Sequence, residues 1–86
     1  MPAFYLSISG FVAIFNECMK VDYYIDEFGG KNKLKPTMTI RRYLGEGDYE
    51  EMDFTDLKTA FAYYEEQPGH IRIMDSAGSI YADFYP

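Results

Sequence analysis

The sequence predicts an α+β fold: two helices against one face of an antiparallel-rich sheet of four or five strands. Three observations carry this. Phe54 to Gly69, FTDLKTAFAYYEEQPG, has a helical period with a start and a stop. Phe11 to Phe28 repeats its apolar residues at intervals of three and four. Runs that alternate with a period of two lie on either side of the first stretch.

The helix over Phe54–Gly69 is the best defined. Leu57, Ala60, Phe61 and Tyr64 fall at i, i+3, i+4 and i+7, on one face. Thr55 is the expected N-cap, and Asp56 puts a negative charge by the positive end of the helix dipole. Pro68 and Gly69 stop it, since proline cannot continue the ladder and glycine tolerates a left-handed exit.

Ala3 to Ser9, AFYLSIS, is aromatic and β-branched enough for a first strand. Phe11, Ile14, Phe15, Cys18, Val21, Ile25 and Phe28 then predict a helix of about five turns. Ser9 is its expected cap and Gly29-Gly30 its stop. In the competing reading Phe11–Phe15 continues the strand and the helix begins near Asn16. Gly29–Pro36, GGKNKLKP, is a loop by composition.

Thr37–Leu44 alternates as a strand, with Met38, Ile40 and Leu44 inward and Thr37, Thr39, Arg41 and Tyr43 outward. Arg42 falls on the apolar side, so it should sit near an edge or reach out along its stem. After a turn at Gly45–Asp48, Tyr49–Phe54 returns with Met52 and Phe54 inward and Tyr49, Glu51 and Asp53 outward. Beyond the helix, Ile71 and Ile73 alternate with His70, Arg72 and Met74. Asp75–Gly78 turns, with Gly78 suited to a left-handed position. Ile80, Ala82 and Phe84 should face in, and Tyr81, Asp83 and Tyr85 out. The resulting order, β-α-β-β-α-β-β, is a two-layer sandwich on the ferredoxin-like, split-βαβ plan or a close variant.

A chain of 86 residues is one domain, 1–86. Its 48% hydrophobic and 19% aromatic content excludes a disordered composition. The single cysteine, Cys18, excludes an internal disulfide and a four-cysteine zinc site. The N-terminal stretch lacks a basic leader, and Phe11–Phe15 is too short to span a bilayer. A cytoplasmic setting without membrane association is expected. The formal charge of −6 repels phosphate backbones, so direct nucleic-acid binding is not expected.

Glu46, Asp48, Glu50, Glu51, Asp53 and Asp56 lie within eleven residues with no base among them. This run is either a surface for a cationic partner or a solvated hairpin edge whose charges discourage strand pairing. It does not fit a calcium loop, because Glu51 stands where the central glycine is required. No metal or other cofactor is expected. Lys31, Lys33, Lys35, Arg41 and Arg42 precede it, and internal pairing would absorb part of their charge. The outward face collects Arg41, Tyr43, Tyr49, Glu51, Arg72, Tyr81 and Asp83, and exposed Tyr and Arg are enriched at protein interfaces.

Catalysis has little support. His70 is the only histidine, Cys18 lies on an apolar stripe, and no serine has a nucleophile-elbow setting. In size, acidity and tyrosine load the chain resembles the small inhibitors that phages and mobile elements direct at host nucleases, anti-CRISPR and DNA-mimic proteins among them. That compositional resemblance implies a non-enzymatic module docking on the basic groove of a nucleic-acid-handling protein. Glu46, Asp48, Tyr49, Glu50, Glu51 and Asp53 are the expected contact residues. Arg41, Tyr43, Arg72 and Tyr81 form a secondary surface, suited alternatively to a homodimer or to an open-sheet nucleic-acid or ligand site.

Overall fold

The computed structural model describes residues 6–66 and 69–85. Eight elements follow in order: α1 (Ile8–Cys18), β1 (Tyr23–Ile25), β2 (Lys31–Lys33), β3 (Met38–Gly45), β4 (Asp48–Phe54), α2 (Leu57–Glu65), β5 (His70–Asp75) and β6 (Ile80–Phe84). The class is α+β, but the order is α-β-β-β-β-α-β-β rather than ferredoxin-like. One sheet has four antiparallel strands, β4-β3-β5-β6, and the other is the two-stranded β1-β2 hairpin. α2 carries the chain from edge strand β4 across β3 to β5.

The departures begin at the N-terminus. Ile8 and Ser9 belong to α1, not to a strand, and Ala3–Tyr5 lie outside the described residues. Ser7, not Ser9, is the N-cap: it is extended, and its Oγ accepts from Gly10 N at 3.2 Å. That local bond satisfies a free first-turn N–H and outweighs the weak strand preference of a short run. α1 stops at Cys18 instead of running to Phe28. The chain tightens there, with Lys20 N donating to Glu17 O and Val21 N to Cys18 O.

Asp26 explains what replaces the rest of that helix. Its carboxylate accepts from Phe28 N, Gly30 N and Asn32 Nδ2 at 3.0, 2.7 and 3.0 Å. Gly29 supplies the left-handed residue of the turn, at φ +80°. Tyr23-Tyr24-Ile25 therefore pairs back on Lys31-Asn32-Lys33, within the stretch expected to be loop.

The register of the large sheet puts Met38, Ile40, Phe54, Ile71 and Ile73 on one side. Phe11, Phe15 and Cys18 of α1 and Ala60 and Tyr64 of α2 join them in a single core. Leu57 and Phe61 pack at its margin, so the expected face of α2 is the buried one. Its N-cap, however, is Asp56, which accepts from Thr59 N at 2.9 Å, rather than Thr55. Phe11 meets Phe61 edge-on at 5.1 Å and Tyr64 at 4.9 Å, aromatic contacts that supply much buried area in few residues.

Three residues expected inside are exposed. Leu44 lies at the register shift between Tyr43 and Gly45. Met52 stands on an edge strand. Ile80 is displaced by the register shift between Ile73 and Met74. Arg42 differs in the other direction. It is on a central strand and its side chain is only 4% exposed.

Candidate interaction surface on the open sheet face

Among the described residues, neither helix packs on the second face of the four-stranded sheet. Side chains there line up in rows across the strands. Tyr49 of β4, Tyr43 of β3, His70 of β5 and Tyr85 after β6 form a ring row. Centroid separations are 5.8 Å for Tyr49–Tyr43, then 4.1 Å for both Tyr43–His70 and His70–Tyr85. The next row is charged: Glu51, Arg41, Arg72 and Asp83, again one from each strand.

Arg41 and Arg72 face each other across β3 and β5, an unfavourable like-charge pair on its own. Each is drawn outward by an acid. Arg41 reaches Glu51 at 2.8 Å and Arg72 reaches Asp83 at 2.9 Å. The guanidinium of Arg41 also stands 4.3 Å over the Tyr49 ring. Asp83 takes a second bond from His70 Nε2 at 2.7 Å. Burial pushes the Asp83 carboxyl up, but the Arg72 and His70 bonds together hold it below the usual carboxylate range.

Of the secondary surface, Arg41, Tyr43 and Arg72 share this face and Tyr81 does not. The register shift turns Tyr81 to the helix side, where its OH donates to Asp75 Oδ2 at 2.9 Å. Burial, with that bond, pushes the Tyr81 phenol up to about 12. His70 and Tyr85 complete the ring row in its place. Their period-two position relative to Arg72 and Asp83 is the signal for them in the sequence.

The six clustered acids do not form one ledge. Glu51 and Asp53 point to the open face, where Arg41 holds the first and Thr39 Oγ1 donates to the second. Glu50 lies on the helix side, held by Arg42 Nη1 at 3.2 Å and by the Tyr63 OH at 3.0 Å. Asp56 caps α2. Only Glu46 and Asp48 keep side chains free of any partner among the described residues. Both sit at the β3–β4 turn, where Gly45, Glu46 and Gly47 all have positive φ.

The end of α2 adds charge to the same place. Arg42 Nη2 donates to Tyr63 O at 2.7 Å, tying the last turn of α2 to β3 beside Glu50. Glu65 and Glu66 follow, exposed and without described partners. Burial, the Glu50 bond and nearby Glu66 act to raise the Tyr63 phenol, outweighing Arg42. One end of the sheet thus combines the ring row with Glu46, Asp48, Glu65 and Glu66.

Cys18 and His70 are both enclosed by their neighbours. Cys18 is fully buried, and burial, with Asp75 and Glu17 nearby, pushes its thiol up to about 12, far from a reactive thiolate. His70 is flanked by two rings and bonded to Asp83. No three metal-ligating side chains converge among the described residues, and no helix there is long and apolar enough to cross a membrane. No family model matches the chain, and neither a curated protein nor a solved structure is found to resemble it.

Proposed function

We propose that the protein is a non-enzymatic binding module that docks a basic protein partner on the acidic end of its open sheet. The observation that supports this most is four carboxylates unpartnered among the described residues, Glu46, Asp48, Glu65 and Glu66, at the end of the sheet whose open face carries the ring row. Carboxylates of this kind steer a cationic surface into place and set its register. Tyr49 and Tyr43 supply rigid anchor area beside them. The partner class that fits is a nucleic-acid-handling protein whose groove expects phosphates, and the mode of action is occlusion of that groove. Glu50, Glu51 and Asp53 already have internal partners, so they contribute less than Glu46 and Asp48.

Capture of partners from the native host tests this, with wild type, Glu46→Lys/Asp48→Lys and Tyr49→Ala compared at rising salt. The expected result is a basic protein retained by wild type at low salt and lost with either variant. Retention by all three, or no retained protein, contradicts the proposal. The ring row also suits base stacking, which would make the module a single-strand binder. Against that, both guanidinium groups of the face are already paired with carboxylates.

A further inference from the structure

Tyr23, Tyr24, Ile25 and Phe28 are all exposed, Phe28 by 89%, and none joins the core. Tyr23 and Ile25 share one face of the hairpin, and Tyr24 takes the other. The hairpin that carries them is a built element, closed by Asp26 and Gly29 as described. Cross-strand partners share a face, so Tyr23 and Ile25 lie together with Lys33 and Lys31. Lys31 Nζ stands 4.1 Å over the Tyr23 ring, and neither lysine has an ion pair among the described residues. Asp22 borders this face only at its base. An adjoining groove of about 450 Å³ runs between Val21, Ile25 and Ala77.

The acidic end offers the complement. Leu44 is exposed there by 60%, beside unpartnered Glu46 and Asp48. β3 starts next to the hairpin at Met38 and reaches Gly45 seven residues later, a span of about 23 Å. The two surfaces therefore lie at opposite ends of one copy and cannot meet within it. We propose that the apolar, cationic face of β1-β2 docks on the acidic end of a second copy of this chain. Tyr23 and Ile25 cover Leu44, while Lys31 and Lys33 meet Glu46 and Asp48. The contact joins unlike surfaces, so every copy presents one of each. This assigns the hairpin, which the partner reading above leaves unused.

Sedimentation or light scattering across concentration tests it. Wild type should show a mass above the 10.0 kDa of one chain, falling as salt rises. Lys31→Glu/Lys33→Glu and Glu46→Lys/Asp48→Lys should each be monomeric alone. Mixed in equal amounts they should associate again, since the intact hairpin of the second fits the intact acidic end of the first. Recovery on mixing requires both variants to be folded. A wild type that stays at 10.0 kDa throughout, variants that assemble like wild type, or a mixture that stays monomeric would each overturn the proposal. Lys31→Glu/Lys33→Glu leaves the acidic end intact, so loss of self-association is distinguishable from loss of a basic partner.

Discussion

Arg42 holds α2 onto the sheet. Its guanidinium is buried beside the Tyr63 ring at 4.3 Å, donates to the Tyr63 carbonyl and pairs with Glu50. A cation at the last carbonyls of a helix also meets the negative end of its dipole. Arg42→Ala removes all of this and leaves a cavity and an unmet carbonyl, so it should cost about 2–4 kcal/mol in denaturant unfolding. Glu50 is about half exposed, and Glu50→Gln should cost less than about 1 kcal/mol. Equal costs would contradict the placement of the guanidinium. Asp83 carries the pH dependence of the open face. Its carboxyl is held below its ordinary value, so folding favours the ionised form. That contribution is complete above about pH 4, the unfolded value, and is lost as pH falls through the lowered folded value. The melting-temperature gap between wild type and Asp83→Asn should close as pH falls below about 4. A gap that widens with acid would reverse the sign and refute the assignment.

At the scale of elements, short local bonds decide where helices begin. Asp56, not Thr55, caps α2, so Asp56→Ala should cost about 1 kcal/mol while Thr55→Ala stays within about 0.5 kcal/mol. Chemical denaturation of the two variants separates them, and the opposite ranking would refute the cap. The same logic marks what the sequence could show. α2, the β3–β4 and β5–β6 hairpins and most of their inward faces were legible, because long periodic runs were bounded by turn residues. The Phe11–Phe28 helix was not: Val21, Ile25 and Phe28 kept a helical spacing by coincidence, while Asp26 and Gly29 closed a turn. Gly29-Gly30 suits a helix stop and a hairpin turn equally, and only the Asp26 bonds across the turn decide between them. Tyr81 and Ile80 exchanged faces because a single register shift inverts the alternation: Tyr81 is the extra residue, opposite adjacent Ile73 and Met74, and its type does not announce a bulge.

For the whole molecule, pairing inside the sheet removes charge from the β3–β4 hairpin. Arg41 and Arg42 are absorbed by Glu51 and Glu50, which leaves Lys31, Lys33 and Lys35 at one end. Glu46, Asp48, Glu65 and Glu66 remain at the other. The expected acidic run was legible as composition, yet its strand alternates, so neighbouring acids face opposite sides of the sheet. A surface of this sign should not attract phosphate. Tyrosine emission should therefore be unchanged by single-stranded oligonucleotides at low salt, and quenching would favour the single-strand reading instead. The account rests on the ring row and acidic end being where a partner sits. Amide hydrogen exchange, with and without the partner retained from the host, reads this directly. Slowed exchange at Tyr43–Glu50 and at the start of β5 is the predicted result. Protection confined to α1, or to β1-β2, would contradict it.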